Sequence, residues 1–330
     1  MFMRKHHIFL LAFSVVCQCI LLVQSSVGFA QVSAAKPYKI LVPFAAGGSS
    51  DVMARNLAKQ LSDQTNTPYF VDNKPGGGGG VAIEAVAKAN PDGHTLLYGT
   101  IGTNGVAPVL FKNFPVDPVK DLQPISILAF NPSVLIVNST LPIHSLKELI
   151  LYAKNNPGKL TYASAGNGSI SHLAGELLKT TAGIDLVHVP YKGGGAAVND
   201  LMSGNVSMMI ETITNAMTLV QSGKMRALAV TSSKPWPSNP ELPTFQQAGL
   251  PGYEVDSWTG LFTSSATPRS QVDKLNAEVA KATQNESYKK SMTAIGVEAS
   301  SSTPEEFAAF VNNELVKWAK VIKLTGTKID

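Results

Sequence analysis

The chain has 330 residues, of which 44% are hydrophobic and 15% are charged, and its formal net charge is +4. A basic excess this small, without a run of lysine or arginine, does not point to nucleic acid or an acidic membrane surface as a partner. Both cysteines, Cys17 and Cys19, lie near the N-terminus, so residues 31–330 offer no disulfide, thiolate metal site or cysteine nucleophile.

Residues 1–30 have the three-part pattern of a secretory signal peptide. Arg4 and Lys5 precede an apolar run from Ile8 to Val23, and the small residues Gly28 and Ala30 suit a signal peptidase. The run of about sixteen residues is shorter than the roughly twenty that a membrane-spanning helix needs. We therefore expect cleavage near Ala30 and a periplasmic location. The remaining chain would have 25 basic and 23 acidic residues.

The chain from residue 38 to residue 99 alternates between predicted strands and helices. Short apolar runs predict the strands, and apolar residues that recur every three or four positions predict the helices. The predicted strands are 38–44, 68–72 and 95–99, and the predicted helices are 51–62 and 81–89. This alternation is typical of a parallel sheet with right-handed crossovers.

Two strands are predicted next, at 125–130 and 133–138, separated by Asn131 and Pro132. A second alternating series follows them. Its predicted helices are 145–154, 169–181, 196–202 and 216–222, and its predicted strands are 160–164, 186–189, 206–210 and 227–231. Ser145 and Glu148 form the pattern of a capping box at the start of the first of these helices.

The proline-rich stretch 234–251 predicts an irregular surface connection. A strand at 257–263 and two closing helices follow, the second with Thr303 as N-cap, Pro304 at its first position and Glu306 completing a capping box. These elements predict a two-lobed α/β protein with a cleft between the lobes. The first lobe would comprise residues 31–131 and 256–330, and the second residues 132–255.

Two glycine-containing loops, 43–51 and 163–169, each connect a predicted strand to the start of a predicted helix. Backbone N–H groups at a helix start lack intrahelical acceptors and lie at the positive end of the helix dipole. Such a start binds anions without lysine or arginine. We therefore predict that the two loops hold one small anion between them. Asp51, in the first turn of its helix, would either cap its loop or recognise an amine or hydroxyl of the ligand.

Other chemistries fit the sequence less well. The glycine run 76–80 is not followed by Gly-Lys-Ser/Thr and has no dinucleotide-binding spacing, so it predicts a turn and no nucleotide cofactor. His172 and Glu176 are one helical turn apart, but no third ligand of suitable type is near them in the sequence. We therefore predict no metal site, with His172 capping its helix or lining the cleft and Glu176 solvated.

A serine hydrolase is the alternative from a different class. Ser164, Ser169, His172 and Asp200 supply the residue types of a catalytic triad, but the Gly-x-Ser-x-Gly turn is missing. Ser169 is also only three residues from His172, a spacing that suits helix capping better than an aligned nucleophile and base. A hydrolase that uses Ser169 and His172 stays the second hypothesis.

The motifs resemble those of the Bug family, the solute-binding components of tripartite tricarboxylate transporters. The resemblance extends in order along residues 31–330. The matching segments are 43–55, 73–76, 90–97, 162–169 with 172–176, 189–194, 200–201 and 257–258.

This resemblance implies a periplasmic binding protein type II fold, in which two α/β lobes joined by two crossover strands close on a small carboxylate. The ligand would be a dicarboxylate, a tricarboxylate, an acidic amino acid or an aromatic acid. It also implies no enzyme activity and no cofactor, with membrane permease subunits or a sensor kinase as partners; we expect a monomer. The implied ligand-binding residues are Phe44, Gly47, Gly48, Ser49, Ser164, Gly166, Ser169 and His172, with Gly193 and Asp200 at the far end of the cleft.

The sequence departs from the family pattern at two places. Residues 211–214 are Glu-Thr-Ile-Thr where an aromatic residue followed by Asp or Gly is common, and Thr259 replaces a common aromatic residue. Both changes would widen the distal pocket or alter its polarity. Glu211 would either act there or be an ordinary surface residue.

Overall fold

The computed structural model describes residues 36–191 and 194–326, so the predicted signal peptide and Gly193 lie outside the described residues. Its first part confirms the predicted alternation. The elements are β1 (Tyr38–Val42), α1 (Ser49–Thr65), β2 (Tyr69–Asn73), α2 (Gly80–Ala87) and β3 (Thr95–Thr100). The strand β1 pairs in parallel with both β2 and β3. A π-helical turn (Ile101–Val106) and the short helix α3 (Ala107–Leu110) follow β3 and were not predicted.

The strand β4 (Leu122–Asn138) runs without interruption through Asn131 and Pro132. The prediction of two separate strands was therefore wrong. Pro132, which has no N–H to donate, lies where β4 exchanges one set of partners for another. Residues 122–132 pair with β9 (Asp256–Ser264) and β10 (Glu298–Ala299), whereas residues 133–138 pair with β7 (Met208–Thr212) and β8 (Met225–Val230).

The second series of helices and strands is also confirmed, with shifts of a few residues at the ends of its elements. Its remaining members are α4 (Leu146–Asn155), β5 (Thr161–Ser164), α5 (Ile170–Ala182), β6 (Val187–Pro190), α6 (Gly194–Ser203) and α7 (Ile213–Gln221). Ser145 caps α4 as predicted, but Glu148 accepts from the backbone N–H of His144, so the box is incomplete. The strand order across the sheet is β2-β1-β3-β9-β4-β7-β5-β6.

The chain ends with three helices where two were predicted: α8 (Arg269–Gln284), α9 (Glu286–Thr293) and α10 (Pro304–Thr325). Asn285 caps α9 by accepting from the backbone N–H groups of Ser287 and Tyr288. The capping box of Thr303 and Glu306 at the start of α10 is present as predicted.

We call the strands β2, β1, β3, β9 and β10, with residues 122–132 of β4, the first half of the sheet. The second half comprises β8, β7, β5 and β6 with residues 133–138 of β4. One buried cluster of apolar side chains extends from Leu41 and Trp258 in the first half to Leu135 and Tyr162 in the second. The buried carboxylate of Glu314 in α10 accepts from the indole N–H of Trp258 and of Trp318, both at 3.1 Å. The last helix is thereby fixed against β9.

Candidate functional site

Two adjoining cavities lie where the halves of the sheet meet, and we call them together the cleft. The α1 cavity has a volume of about 430 Å³ and the α7 cavity about 680 Å³. Ile170, Thr212 and Ser257 line both of them. One solute can therefore contact residues of both halves of the sheet.

Four of the predicted ligand-binding residues line the cleft. Phe44, Gly48 and Ser49 line the α1 cavity, and Ser169 lines the α7 cavity. Phe44 is 37% exposed although it is a large apolar side chain. The two loops that the sequence singled out therefore reach the same cleft from opposite halves of the sheet.

The start of α1 is open toward the α1 cavity. Its N-cap is Gly48, which has no side chain to accept from the first turn, and Ser49 and Ser50 both line the cavity. The N–H groups of the first turn have no intrahelical acceptor. A solute oxygen can accept from these amides and is favoured there by the helix dipole.

Asp51 holds the loop that precedes α1. Its Oδ2 accepts from the backbone N–H of Gly47 at 2.9 Å and from Arg55 Nε at 3.0 Å, and its Oδ1 accepts from Asn73 Nδ2 at 3.0 Å. The hydrogen bond from Arg55 is the main reason that the pKa of Asp51 falls to about 2, with the Gly47 N–H as the next cause. Of the two roles predicted for Asp51, the structure shows loop capping. It also shows that the Gly47 N–H is already bonded within the protein.

The second loop, 163–169, differs because nearby side chains form hydrogen bonds with its backbone. Ser169, the N-cap of α5, accepts from the backbone N–H of His172 at 3.2 Å and donates to the carbonyl of Gly166 at 2.7 Å. The N–H of Ala165 donates to Ser171 Oγ at 3.0 Å, and that of Gly166 donates to Ser164 Oγ at 3.1 Å. The two helix starts are therefore unequal, because only α1 lacks a side-chain cap.

His172 stabilises this loop through a hydrogen bond to its backbone. Its Nδ1 accepts from the backbone N–H of Gly168 at 3.0 Å, and its ring stacks on His188 with the centroids 4.0 Å apart. Burial lowers the pKa of both rings, that of His188 to about 4. Glu176 is buried as well and accepts from the Tyr162 hydroxyl at 2.6 Å and from Lys179 at 3.0 Å. The expectation that Glu176 is solvated was therefore wrong.

The residues of the hydrolase hypothesis form different pairs from those it requires. The Ser169 hydroxyl contacts Gly166, Ser171 and the backbone of His172 rather than the His172 ring. The Ser164 hydroxyl lies 2.7 Å from His188 Nε2, but Ser164 has no exposed surface. A solute in the cleft does not reach this serine in the described conformation.

Asp200 does not line either cavity. Its Oδ2 accepts from the Tyr191 hydroxyl at 2.6 Å and its Oδ1 from Asn205 Nδ2 at 3.2 Å. These hydrogen bonds lower the pKa of Asp200, that from Tyr191 most of all. In the described chain Asp200 thus ties the end of β6 to α6, and its predicted contact with ligand stays a prediction.

Residues of the crossing strands and of the π-helical turn also line the α1 cavity, and the sequence analysis did not include them among the ligand-binding residues. The most informative are Asn131 and Thr259, whose Oδ1 and Oγ1 atoms are buried without a hydrogen-bond partner among the described residues. Thr259 is only 9% exposed. Unpaired buried polar atoms are costly, so these two residues are unusual members of the cavity lining. The Thr259 departure from the family pattern was the signal available in the sequence, but Thr259 lines the cavity at the start of α1 and not a distal pocket, so that part of the expectation was wrong.

Asp256 lies beside this crossing, paired with Pro132 across β9 and β4. Its Oδ1 is buried without a partner among the described residues. Burial, followed by the nearby charge of Glu254, raises the pKa of Asp256 to about 7. The junction between the sheet halves therefore contains a carboxyl group that is poorly suited to carrying its charge.

Within residues 36–191 and 194–326, no group of three or more histidine, cysteine, aspartate or glutamate side chains is arranged to hold a metal ion. None of the described helices is long and apolar enough to cross a membrane.

The family model described as tripartite tricarboxylate transporter family receptor matches residues 53–327. A curated relative, the UPF0065 protein in the tcbD-tcbE intergenic region of Pseudomonas sp. strain P51, is 38% identical over 87% of this chain and 85% of its own length.

Solved structures give the same picture. Rpa4515 of R. palustris, solved with adipate, is 35% identical, with a TM-score of 0.74 over 89% of this chain and 98% of its own. The periplasmic binding protein BugD is 36% identical, with a TM-score of 0.70 over 88% of this chain and 98% of its own. The resemblance to the Bug family and the predicted binding-protein fold are thereby confirmed.

Proposed function

The chain belongs to the tripartite tricarboxylate transporter receptor family, and on this premise we propose that it is a periplasmic receptor that captures a small carboxylate for transport. The family is one of solute-binding receptors rather than enzymes. The proposal goes further in assigning a carboxylate to this chain, in placing it in the periplasm after signal-peptide cleavage, and in excluding turnover.

The observation that carries the proposal is the uncapped start of α1 in the wall of the cleft. Gly48 leaves the first-turn amides open, and Ser49 and Ser50 line the α1 cavity beside them. No lysine or arginine lines either cavity among the described residues. A carboxylate held here would be bound by backbone N–H groups and a helix dipole, with the hydroxyl of Thr259 within the same cavity.

The predicted site residues divide into two roles in this proposal. Phe44, Gly48, Ser49 and Ser169 would contact the solute, because they line the cleft. Gly47, Ser164, Gly166 and His172 would shape the two loops through the hydrogen bonds described above. Gly193 and Asp200 stay predicted contacts at the far end.

Solute capture would close the predicted lobes, residues 31–131 with 256–330 and residues 132–255, about the crossing of β4 and β9. A solute that contacts both halves of the sheet favours the closed form through contacts that the open form lacks. We propose membrane permease subunits as the partners of the closed receptor. A sensor protein in place of a permease is the alternative.

Thermal unfolding and calorimetric titration with mono-, di- and tricarboxylates test the proposal, starting with adipate. The matched control is adipamide, which has the same length but no charge. We expect at least one carboxylate to raise the unfolding temperature and its amide to have no effect. The proposal would be contradicted if the amides stabilised the protein as much as the acids do. It would also be contradicted if the protein steadily hydrolysed an ester and the His172→Ala variant did not.

A further inference from the structure

Glu211 is the one charged side chain among the described residues that line the cleft. It is the penultimate residue of β7, two positions before the first residue of α7, and it lines the α7 cavity. The remaining described lining of that cavity is uncharged, and its polar members are Ser133, Ser169, Ser171, Thr212, Asn215, Thr218 and Ser257. A fixed charge that has no counter-charge among the described lining residues has a large influence on which solutes enter the cleft.

One oxygen of this carboxylate is hydrogen-bonded within the fold, whereas the other has no partner among the residues that the structure describes. Glu211 Oε1 accepts from the backbone N–H of Thr212 at 2.8 Å and from its hydroxyl at 3.0 Å. No described residue donates to Oε2, and no described lysine, arginine or histidine forms an ion pair with Glu211. The committed oxygen fixes the rotamer, so the free oxygen has a defined position toward the cavity.

The space in front of the free oxygen is left open by glycine. A Cβ atom built on Gly194 would lie 3.6 Å from Oε2, and Gly194 and Gly195 both line the α7 cavity. Glu211 Oε2 thus lies beside an opening in the cavity wall that a solute group can occupy.

From this arrangement we infer that the α7 cavity recognises a protonated amine, and that the preferred solute carries a carboxylate at one end and an ammonium group at the other. The inference rests on the proposed function, which places the carboxylate at the start of α1. The ammonium group would donate to Glu211 Oε2. A second carboxylate at that end would instead meet a like charge, so simple dicarboxylates would bind more weakly.

Three probes of equal carbon number separate the possibilities: 6-aminohexanoate, hexanoate and adipate, which end in a positive, a neutral and a negative group. We expect the unsubstituted protein to bind them in that order of decreasing affinity at pH 7.5, with about tenfold or more between the first and the last. The four-carbon series, 4-aminobutanoate, butanoate and succinate, repeats the comparison at a shorter span.

Glu211→Gln keeps an oxygen acceptor for Thr212 and removes only the charge. We expect it to weaken 6-aminohexanoate by about tenfold, to strengthen adipate, and to leave hexanoate nearly unchanged. Glu241→Gln, an exposed acid that lines neither cavity, is the matched control and should leave all three affinities unchanged. Thermal unfolding of both variants verifies that they are folded.

The outcomes distinguish this inference from the proposed function. If carboxylates bind but adipate binds as well as 6-aminohexanoate, or if Glu211→Gln changes all three affinities by one factor, the inference is wrong and the proposed function stands. A further outcome is that the unsubstituted protein shows no preference for ammonium groups, whereas Lys192→Gln, two residues before Gly194, does. Glu211 would then pair with Lys192 rather than with the solute, and the inference would be wrong. If no carboxylate binds at all, the proposed function fails, and the inference fails with it.

Discussion

Thr214, in the first turn of α7, lies against Gly296, in the turn between α9 and β10. The Thr214 hydroxyl donates to the carbonyl of Ile295 at 3.4 Å, and a Cβ atom on Gly296 would overlap Thr214 Oγ1. These residues belong to opposite halves of the sheet, and Thr212 and Val297 beside them line the α1 cavity. The contact therefore brings the two halves together at the edge of the cleft.

Gly296→Ala should force this contact apart. The residue has φ +73°, where alanine alone costs roughly 1–2 kcal/mol, and the overlap with Thr214 adds to that cost. We expect a loss of at least about 2 kcal/mol in the free energy of unfolding and about tenfold in carboxylate affinity. Denaturant unfolding and calorimetric titration measure the two effects.

The control for this variant is Gly249→Ala, where φ is +94° but no atom lies within 4 Å of the added Cβ. It should show the backbone cost without the loss of affinity. Adding Thr214→Ala to Gly296→Ala should restore part of both losses. Equal behaviour of Gly249→Ala and Gly296→Ala would mean that the contact across the halves has no role in binding.

Gly48→Ser should stabilise the protein and weaken its binding of carboxylates. Gly48 has φ −78° and ψ 169°, which serine adopts freely, and its Cβ would meet only the Ala45 carbonyl, at 3.7 Å. The new hydroxyl would cap the first-turn amides, with a stability gain of a few tenths of a kcal/mol. Because these amides are then occupied, carboxylates should bind several-fold more weakly. The reciprocal variant Ser169→Gly should lose stability through α5, and it should also weaken binding because it removes a hydroxyl that lines the cleft. A gain in affinity in Gly48→Ser would contradict the proposed anion site.

Asp51→Asn should destabilise the protein at neutral pH and much less in acid. The folded pKa of Asp51 is about 2 and lies below its ordinary value, so its contribution is present above pH 4 and disappears as the pH falls toward 2. We expect the variant to lose about 1–2 kcal/mol at pH 7, a difference from the unsubstituted protein that shrinks below pH 4. Asp63→Asn, which removes an exposed carboxylate paired with Lys59, should show almost no effect.

His188 and His172 should make the protein less stable in mild acid. Burial lowers both folded pKa values below the ordinary 6.5, so the neutral rings stabilise the fold above that pH and lose this contribution as the pH falls toward 4. We expect the unfolding temperature to drop by a few degrees over this interval. The double variant His172→Asn and His188→Gln, which retains hydrogen-bonding groups, should flatten the drop. Substitution of the exposed His144 by Gln should leave the drop unchanged. If the drop persists in the double variant, groups other than these two histidines cause it.

Asp256 should have the opposite pH dependence. Its folded pKa, about 7, exceeds its ordinary value, so ionisation begins to destabilise the fold above about pH 4 and reaches its full effect above pH 7. Asp256→Asn should therefore stabilise the protein at pH 8, on the order of 2 kcal/mol, and have no effect at pH 4. Denaturant unfolding at the two pH values measures this. Lower stability of the variant at pH 8 would show that the charge of Asp256 is needed.

The sequence predicted the order of helices and strands well, because each has clear apolar spacing and a recognisable end. It failed at Pro132, since proline and asparagine ordinarily interrupt a strand, whereas here the missing N–H coincides with a change of strand partners. The helix α9 was missed because its sequence is strongly polar and follows α8 after a single residue, Asn285. Intrinsic helix propensity alone does not predict a helix that is stabilised by tertiary contacts.

The two loops show which part of a site is visible in a sequence. Their glycines predicted two helix starts facing one cleft, and residues of both loops line it. That one helix starts with glycine and the other with serine could have predicted the open and the capped start. The pairing of Asp51 with Gly47, and of His172 with Gly168, depends on side-chain directions that the sequence does not contain.

The open start of α1 has a consequence for how such a receptor changes during evolution. Its N–H groups belong to the main chain, so ordinary substitutions at positions 49 and 50 leave them in place, and only proline removes one. Glu211 and Asn215, which line the α7 cavity, contribute through their side chains and can be exchanged singly. New solute preferences can therefore arise by point mutation at one end of the cleft. The main-chain N–H groups at the other end continue to bind the anionic group that the solutes share.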